Sequence, residues 1–194
     1  MRGSLELGAF RAAVLALGVA CVQACAPLGS KAEDASARFA PPSDVFSIHG
    51  RLAARHGTEG VSANFRWRHD GDRDSLELVS PLGQTIARMS GSPGKVELER
   101  SNGTHEVAQN WEALTQRGLG WTLPVSGLAS WIQGSPHPGS ASRAETQSEP
   151  MVLRQDGWMI VYSAAIETPV GPRPSRLTLS YPEVEVRLAV DEWQ

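Results

Sequence analysis

The side chains that could carry chemistry in this sequence are five histidines, a group of aspartates and two cysteines. Asp70, Asp72 and Asp74 are spaced like the first ligands of a calcium-binding EF-hand loop. The closing glutamate is missing and the flanking residues alternate like strands, so we interpret the group as a charged hairpin. The histidines have no metal-ligand spacing, and we predict that all of them are solvated. They are His49, His56, His69, His105 and His137.

Motifs of the common catalytic and cofactor-binding sites are also missing from the sequence. It has no Gly-x-Ser-x-Gly elbow, no His-Glu-x-x-His zinc motif and no Walker A loop. We therefore predict no catalytic residue, no metal and no cofactor, and we rank an enzyme last among the function classes. An activity built from residues far apart in the sequence is left open.

The composition favours a single folded domain that does not bind nucleic acid. A length of 194 residues corresponds to about one domain, and 41% hydrophobic residues supply one ordinary core. The net charge is −3, whereas a nucleic-acid-binding protein needs a basic face.

Both cysteines follow an apolar run near the N-terminus. This run, residues 12–22, has the length of a signal-peptide core and is too short to cross a bilayer. It ends at Val22-Gln23-Ala24-Cys25, which resembles a bacterial lipobox, the sequence that directs cleavage before an acylated cysteine. We predict acylation of Cys25, with Cys21 as the alternative and an ordinary secretory signal as a further one. By the same resemblance, Ala26 after the cysteine indicates the outer membrane.

The chain divides into three parts. Residues 1–24 are predicted to be a lipoprotein signal peptide, and residues 25–44 a lipidated N-terminus followed by a flexible spacer. The spacer is poor in large hydrophobic residues and contains several prolines. Residues 45–194 form the predicted domain.

Apolar and polar residues alternate with a period of two along most of this domain. This pattern predicts antiparallel strands with one dry face and one solvated face. The alternating segments are residues 46–52, 61–68, 75–79, 95–99, 177–180 and 184–191. Hairpin loops are predicted at residues 69–72, 91–94, 101–104 and 155–157.

Two short helices interrupt the strands. Asn110 is predicted to cap residues 111–117 before Gly118, and Ser126 to cap residues 127–133 before Gly134. Residues 135–150 are predicted to be a mobile loop or a weak edge strand. The fold class is therefore mostly β with a small helical part, an open antiparallel β-barrel capped by short α-helices. Whether sheet and helices enclose a cavity or a solid core stays open at this point.

The turn Ser80-Pro81-Leu82-Gly83 has the residues of a type I turn. It places the bulky apolar Leu82 at a tip, where asparagine, aspartate or glycine is usual. One exposed leucine is common in soluble proteins. The functional interpretation is an apolar finger, Pro81-Leu82-Gly83, that contacts a membrane or an acyl chain.

Several short motifs follow the predicted lipoprotein leader in a fixed order. They are Gly50-Arg51-Leu52-Ala53, Ala63-Asn64-Phe65-Arg66-Trp67, Ser80-Pro81-Leu82-Gly83, Leu119-Gly120-Trp121-Thr122-Leu123-Pro124-Val125, Leu128-Ala129-Ser130-Trp131-Ile132-Gln133-Gly134, Gln155-Asp156-Gly157-Trp158 and Trp193. Their order and spacing, from Phe46 to Trp193, resemble the LolB family of outer-membrane lipoprotein receptors.

The resemblance implies an unclosed β-barrel with helices over its opening and an interior that binds lipoprotein acyl chains. It implies that the protein accepts acylated lipoproteins from the periplasmic carrier LolA and inserts them into the outer membrane. In the family an exposed leucine after the third strand is required for insertion, and by motif it falls on Leu82. We expect a monomer anchored in the outer membrane and facing the periplasm, in contact with outer-membrane lipid and with no nucleic acid as partner.

A cavity of intermediate affinity would allow transfer without a nucleotide, because acyl chains cannot cross water unprotected. The candidate lining residues are Phe65, Trp67, Leu76, Leu78, Met89, Leu128, Trp131, Ile132, Trp158 and Ile160. The alternative for each is a place in an ordinary core. Two rival functions are a periplasmic carrier of another lipid and a structural lipoprotein of envelope assembly.

Overall fold

A computed structural model describes residues 38–123, 125–145 and 149–194 of the chain. Cys21, Cys25, the predicted signal peptide and the first part of the predicted spacer lie outside these residues. The strands are β1 (Val45–His56), β2 (Glu59–Asp70), β3 (Arg73–Val79), β4 (Thr85–Ser92), β5 (Lys95–Arg100), β6 (His105–Ala108), β7 (Ser142–Glu145), β8 (Met151–Gln155), β9 (Trp158–Thr168), β10 (Gly171–Tyr181) and β11 (Val184–Trp193). The helices α1 (Trp111–Leu119) and α2 (Val125–Trp131) lie between β6 and β7.

All of these strands belong to one antiparallel sheet. Its order is β6-β5-β4-β3-β2-β1-β11-β10-β9-β8-β7, so β1 and β11 pair at its centre. The edge strands β6 and β7 are not paired with each other within the described chain, and the sheet is therefore not closed. The predicted fold class, an open antiparallel barrel with a small helical part, is confirmed.

Strand β2 shows why the sequence forms this sheet. Phe65 and Trp67 are buried on the inner face, while Asn64, Arg66 and Arg68 are exposed on the outer face. Successive side chains of a strand point to opposite faces, so alternating residue types bury one face and solvate the other. The region predicted as a loop or weak edge strand contains the short edge strand β7.

Strand β1 carries a bulge where it pairs with β11. The register shifts between His49 and Gly50. A Cβ atom at Gly50 would overlap the carbonyl oxygen of Ala189 on β11, so only glycine fits this close approach. Because bulges increase the local twist of a strand, this glycine helps to bend the centre of the sheet.

Helix α1 begins as predicted but ends later. The Asn110 side chain accepts a hydrogen bond from the Ala113 N–H, and the left-handed residue at the C-terminus is Gly120, with φ of 81°, rather than Gly118. Gly118 lies inside the helix, where the Arg100 side chain packs against it and donates to its carbonyl oxygen at 3.0 Å. Glycine at this position therefore allows the close contact with Arg100 and does not end the helix.

Helix α2 differs from its prediction at both ends. It starts at Val125, so Ser126 does not cap it. The Ser126 N–H instead donates to the Glu112 carboxylate of α1 at 3.1 Å. The regular helix ends at Trp131, and turn hydrogen bonds continue the chain to Gly134, where φ is 82°. A side chain from the neighbouring helix thus replaces the local cap.

The described core consists of two clusters. The larger lies between the inner face of the sheet and α2 with the turn after it, and the smaller lies beneath α1 on β4 and β5. The core residues all fall between Phe39 and Val190, inside a compact unit that spans Ala32–Gln194. A protein of residues 32–194 therefore contains the whole of the described core. None of the helices in the described part of the chain is long and apolar enough to span a bilayer.

The segment of residues 38–44 packs against the domain, although its composition resembles a spacer. Phe39 and Ala40 are each only 5% exposed, and the Phe39 ring packs on Tyr162. Buried Arg173 of β10 holds this arm by donating to the carbonyl oxygens of Ala40 at 3.1 Å and Pro41 at 2.8 Å. The packed chain therefore begins several residues before β1.

The same guanidinium connects the arm to the end of α2. Arg173 donates to the Gln133 side-chain oxygen at 3.3 Å, and that oxygen also accepts from the Ser43 N–H at 2.7 Å. The indole ring of Trp193 faces the guanidinium at 5.5 Å. Desolvation lowers the pKa of Arg173, but an arginine keeps its charge at neutral pH. The arm, α2 and β10 are thus joined around one buried cation.

Candidate functional site

The turn between β3 and β4 presents Leu82 to solvent. The Gly83 N–H donates to the Ser80 carbonyl oxygen at 2.9 Å, which closes a four-residue turn, and the Ser80 side chain accepts from the Gln84 N–H. Gly83 has φ of 85°. Leu82 is 88% exposed, the highest value among the large exposed hydrophobic residues described. The structure therefore places a solvent-exposed apolar side chain at the tip of a hydrogen-bonded turn.

A polar network braces the base of this turn. The Glu77 carboxylate accepts from the Thr85 hydroxyl at 2.9 Å and forms ion pairs with Arg66 and Arg88 at 3.2 and 3.3 Å. The Thr85 hydrogen bond, followed by the arginines, lowers the pKa of Glu77 below its usual value. This carboxylate stays ionised at neutral pH and joins β2, β3 and β4 below Leu82.

Most of the candidate cavity residues come together on the inner face of the sheet. The larger cluster contains the buried Phe65, Trp67, Trp131, Ile132, Trp158 and Ile160, with Leu76, Leu78 and Leu128 partly buried at its margin. Met89 is partly buried and packs with the smaller cluster under α1, which Leu78 also contacts. In this conformation Leu128, Trp131 and Ile132, which belong to α2 and the turn after it, pack with the candidate residues of the sheet as part of the core.

Buried amide and hydroxyl groups that the sequence did not single out hold α2 on the sheet. Gln155 of β8 accepts from the Trp131 indole N–H and the His137 N–H, both at 2.7 Å, and donates to two backbone carbonyl oxygens. The Tyr162 hydroxyl donates to the Trp131 carbonyl oxygen at 2.8 Å, and burial raises the pKa of Tyr162. The sequence marks Gln155 only as part of a turn and of a family motif, because its hydrogen-bond partners are distant in sequence.

One of the predicted solvated histidines is largely buried. His69 and the Trp67 indole both bond to one oxygen of Asp74, at 2.8 and 2.7 Å, and the His69 ring stacks on Phe46. Its side chain is only 13% exposed. Asp74 therefore provides the hydrogen-bond partner for the rings of Trp67 and His69 beneath the β2–β3 hairpin. In the described residues no group of three or more potential ligands is placed to hold a metal ion.

A groove of about 540 Å³ opens between the two helices and one rim of the sheet. The hairpins at Gly71 and Pro93 form one side, and Trp111, Ala129 and His137 contribute to the other. Its volume is within the range of about 300–1,000 Å³ common for small-molecule sites. Ser126, Ala129 and Ser130 line this groove, so it opens beside α2.

Comparison with known families matches this architecture to one of them. The family model described as "Outer membrane lipoprotein LolB" matches residues 44–193. An outer-membrane lipoprotein LolB from Azoarcus sp. (strain BH72) is 36% identical over 186 residues, covering 95% of both chains. A LolB of the same description from Thiobacillus denitrificans is 37% identical over 156 residues, covering 79% of this chain and 82% of that relative.

A solved structure supports the fold independently of sequence. The crystal structure of a LolA superfamily protein from Nitrosomonas europaea aligns with a TM-score of 0.51 at 7% identity, and it covers 82% of this chain and 90% of that chain. At this identity the likeness is one of fold. Together with the family match over the sheet, both helices and the Leu82 turn, the observations lead to one assignment: this chain belongs to the LolB family of outer-membrane lipoproteins.

Proposed function

We propose that this chain is an outer-membrane lipoprotein receptor that accepts acylated lipoproteins from the periplasmic carrier LolA and inserts them into the outer membrane. The observation that carries the proposal is the family match across residues 44–193, which includes the sheet, the helices and the turn at Leu82. In this proposal acylated Cys25 anchors the chain in the outer membrane, and the domain faces the periplasm.

Hydrophobic transfer energies explain what such a receptor must do. Each methylene of an acyl chain costs about 0.8 kcal/mol in water, so a lipoprotein with several chains needs continuous apolar cover. Transfer without nucleotide hydrolysis requires the receptor to bind the chains more tightly than the carrier does and less tightly than the bilayer. An apolar sheet face under a movable cover can have this intermediate affinity.

We propose that α2 is this cover. In the structure Trp131 and Ile132 are almost completely buried against the sheet, so an acyl chain gains access to the inner face only when α2 moves. The groove lined by Trp111 and Ala129 lies where the displaced helix would leave an entrance. The candidate cavity residues would then exchange contacts with α2 for contacts with cargo.

Binding of an apolar fluorescent probe tests whether this interior opens. We expect residues 32–194 to bind the probe saturably and to release it when acylated cargo is added. The variant Val107→Ser controls for probe that adheres to exposed apolar side chains. Val107 is an exposed apolar residue on edge strand β6, and its replacement should not change probe binding to the interior. Probe fluorescence at background level throughout the titration would show that the core does not open.

Depletion of the protein tests the proposed function directly. We expect outer-membrane lipoproteins to accumulate in the periplasm in complex with their carrier, because the acyl chains then have no acceptor. Fractionation followed by immunoblotting of a cargo lipoprotein measures this accumulation. Normal outer-membrane levels of cargo in depleted cells would contradict the receptor function and favour a structural role in the envelope.

A further inference from the structure

The outer face of the sheet carries a groove of about 510 Å³ beside the turn that presents Leu82. Pro81, the residue before Leu82, lines one side of it. The remaining lining residues lie on β1, β2, β9, β10 and β11, and the exposed Arg51, Arg176 and Arg187 are among them. This groove is on the opposite side of the sheet from the proposed acyl-chain site.

Strand register explains why a groove forms here. Ala189 of β11 pairs with Arg51 on one side and with Arg176 on the other, so these arginines flank an alanine in one row. In the next row Arg187 pairs with Ala53. Alanine side chains are too short to fill the space between long neighbours. The result is a floor at Ala53 and Ala189 surrounded by guanidinium groups.

The charges around this floor are not balanced. The residues that line the groove include no carboxylate. Arg51 pairs with Asp191 at 2.9 Å and Arg187 with Glu185 at 2.8 Å, both acids lying outside the lining. Exposed ion pairs of this kind are worth about 1 kcal/mol or less and can be exchanged for another anion.

Arg176 is the uncompensated cation of the groove. Its side chain is exposed and forms no ion pair with any described residue. A guanidinium group offers paired N–H donors that match the geometry of a phosphate. The groove therefore has the charge and the donor chemistry for a phosphate group, with two further arginines close to the first.

We propose that this groove binds the phosphate of a membrane lipid headgroup while Leu82 enters the bilayer. The inference rests on the proposed function, because it takes the turn at Leu82 as the part of the domain that meets the membrane. Pro81 is shared by the turn and the groove, so a bilayer that receives Leu82 brings its headgroups to the groove. Leu82 then lies among the acyl chains of one leaflet, and the basic groove lies at the headgroups of the same leaflet.

Vesicle binding of residues 32–194, without the acylated cysteine, tests the proposal. The probes are vesicles of phosphatidylcholine alone and of phosphatidylcholine mixed with phosphatidylglycerol. We expect Arg176→Gln to weaken partitioning to the anionic vesicles about fivefold, the effect of one basic residue at a membrane surface. Arg143→Gln is the matched control, since Arg143 is also exposed on a strand, at the far edge of the sheet. It should retain wild-type partitioning.

Two results of this experiment, and a third from a cargo-uptake assay on the same variant, would overturn a phosphate site in the groove. Equal losses in Arg176→Gln and Arg143→Gln would indicate general charge attraction, and no loss in Arg176→Gln would indicate that the groove does not bind headgroups. Normal vesicle binding by Arg176→Gln together with reduced cargo uptake would assign the groove to an acidic protein partner. The variant Leu82→Glu tests the underlying function separately, because it should weaken binding to both kinds of vesicle.

Discussion

The variant Leu82→Glu should accept cargo from the carrier normally and fail to deliver it. Leu82 is 88% exposed and makes no core contact that folding depends on, so the variant should fold as the wild type does. Burial of one leucine side chain in an apolar phase is worth about 1.5–3 kcal/mol, and glutamate loses this and adds a charge. We expect cargo insertion into membranes to slow about 10- to 100-fold.

An in-vitro transfer assay that follows cargo from carrier to receptor and from receptor to vesicle separates these two steps. Val170→Glu is the matched control, because Val170 is 67% exposed in the turn between β9 and β10. That change should leave both steps intact. If Leu82→Glu inserts cargo at the wild-type rate, Leu82 has no part in delivery; if it no longer accepts cargo, its role lies at an earlier step.

The variant Arg173→Met should lower the free energy of unfolding by about 3 kcal/mol. Hydrogen bonds to a charged group are worth about 1.5–3 kcal/mol each, and methionine leaves the carbonyl oxygens of Ala40 and Pro41 and the Gln133 side chain without this donor. Removal of a buried charge offsets part of the loss. Denaturant unfolding measures the change, with Arg143→Met as an exposed control that should differ from wild type by less than about 0.5 kcal/mol.

Limited trypsin digestion gives a local readout of the same variant. Arg38 precedes the packed Phe39, so cleavage there depends on release of the arm. We expect faster cleavage after Arg38 in Arg173→Met, because the arm loses the donors that hold its carbonyl groups. Unchanged stability and unchanged cleavage would show that the other contacts of the arm, among them Phe39 packing and the Arg38–Glu149 ion pair, secure it without Arg173.

Local sequence patterns were sufficient for strands β1, β2, β3, β5, β10 and β11 and for the Leu82 turn, whereas β6, β8 and β9 lie outside the alternating segments. Alternation along β2 predicts which face is buried, since the period of a strand is fixed by its backbone. Serine, proline and glycine in Ser80–Gly83 predict the turn, because each residue favours its own position through backbone geometry or a hydrogen bond to the chain next to it. Such features depend on neighbours in sequence and need no knowledge of the fold.

The errors arose where a distant partner replaced a local one. Gly118 lies inside α1 with Arg100 packed on it, and Ser126 lies inside α2 with its N–H bonded to Glu112. His69 was expected in solvent but is covered by Phe46 and bonded to Asp74. In each case a contact from another element changed the environment that the local sequence indicated.

The open barrel class, the position of the apolar finger and, through the ordered motifs, the family can all be predicted from the sequence. The three-dimensional fold is needed to see that Arg173 holds the arm and the end of α2 together, and that Arg51, Arg176 and Arg187 surround an alanine floor. The difference arises because alternation and turn chemistry are properties of the local backbone. Convergence of side chains from β1, β10 and β11 depends on which strands pair and in what register, and that is set by the whole chain.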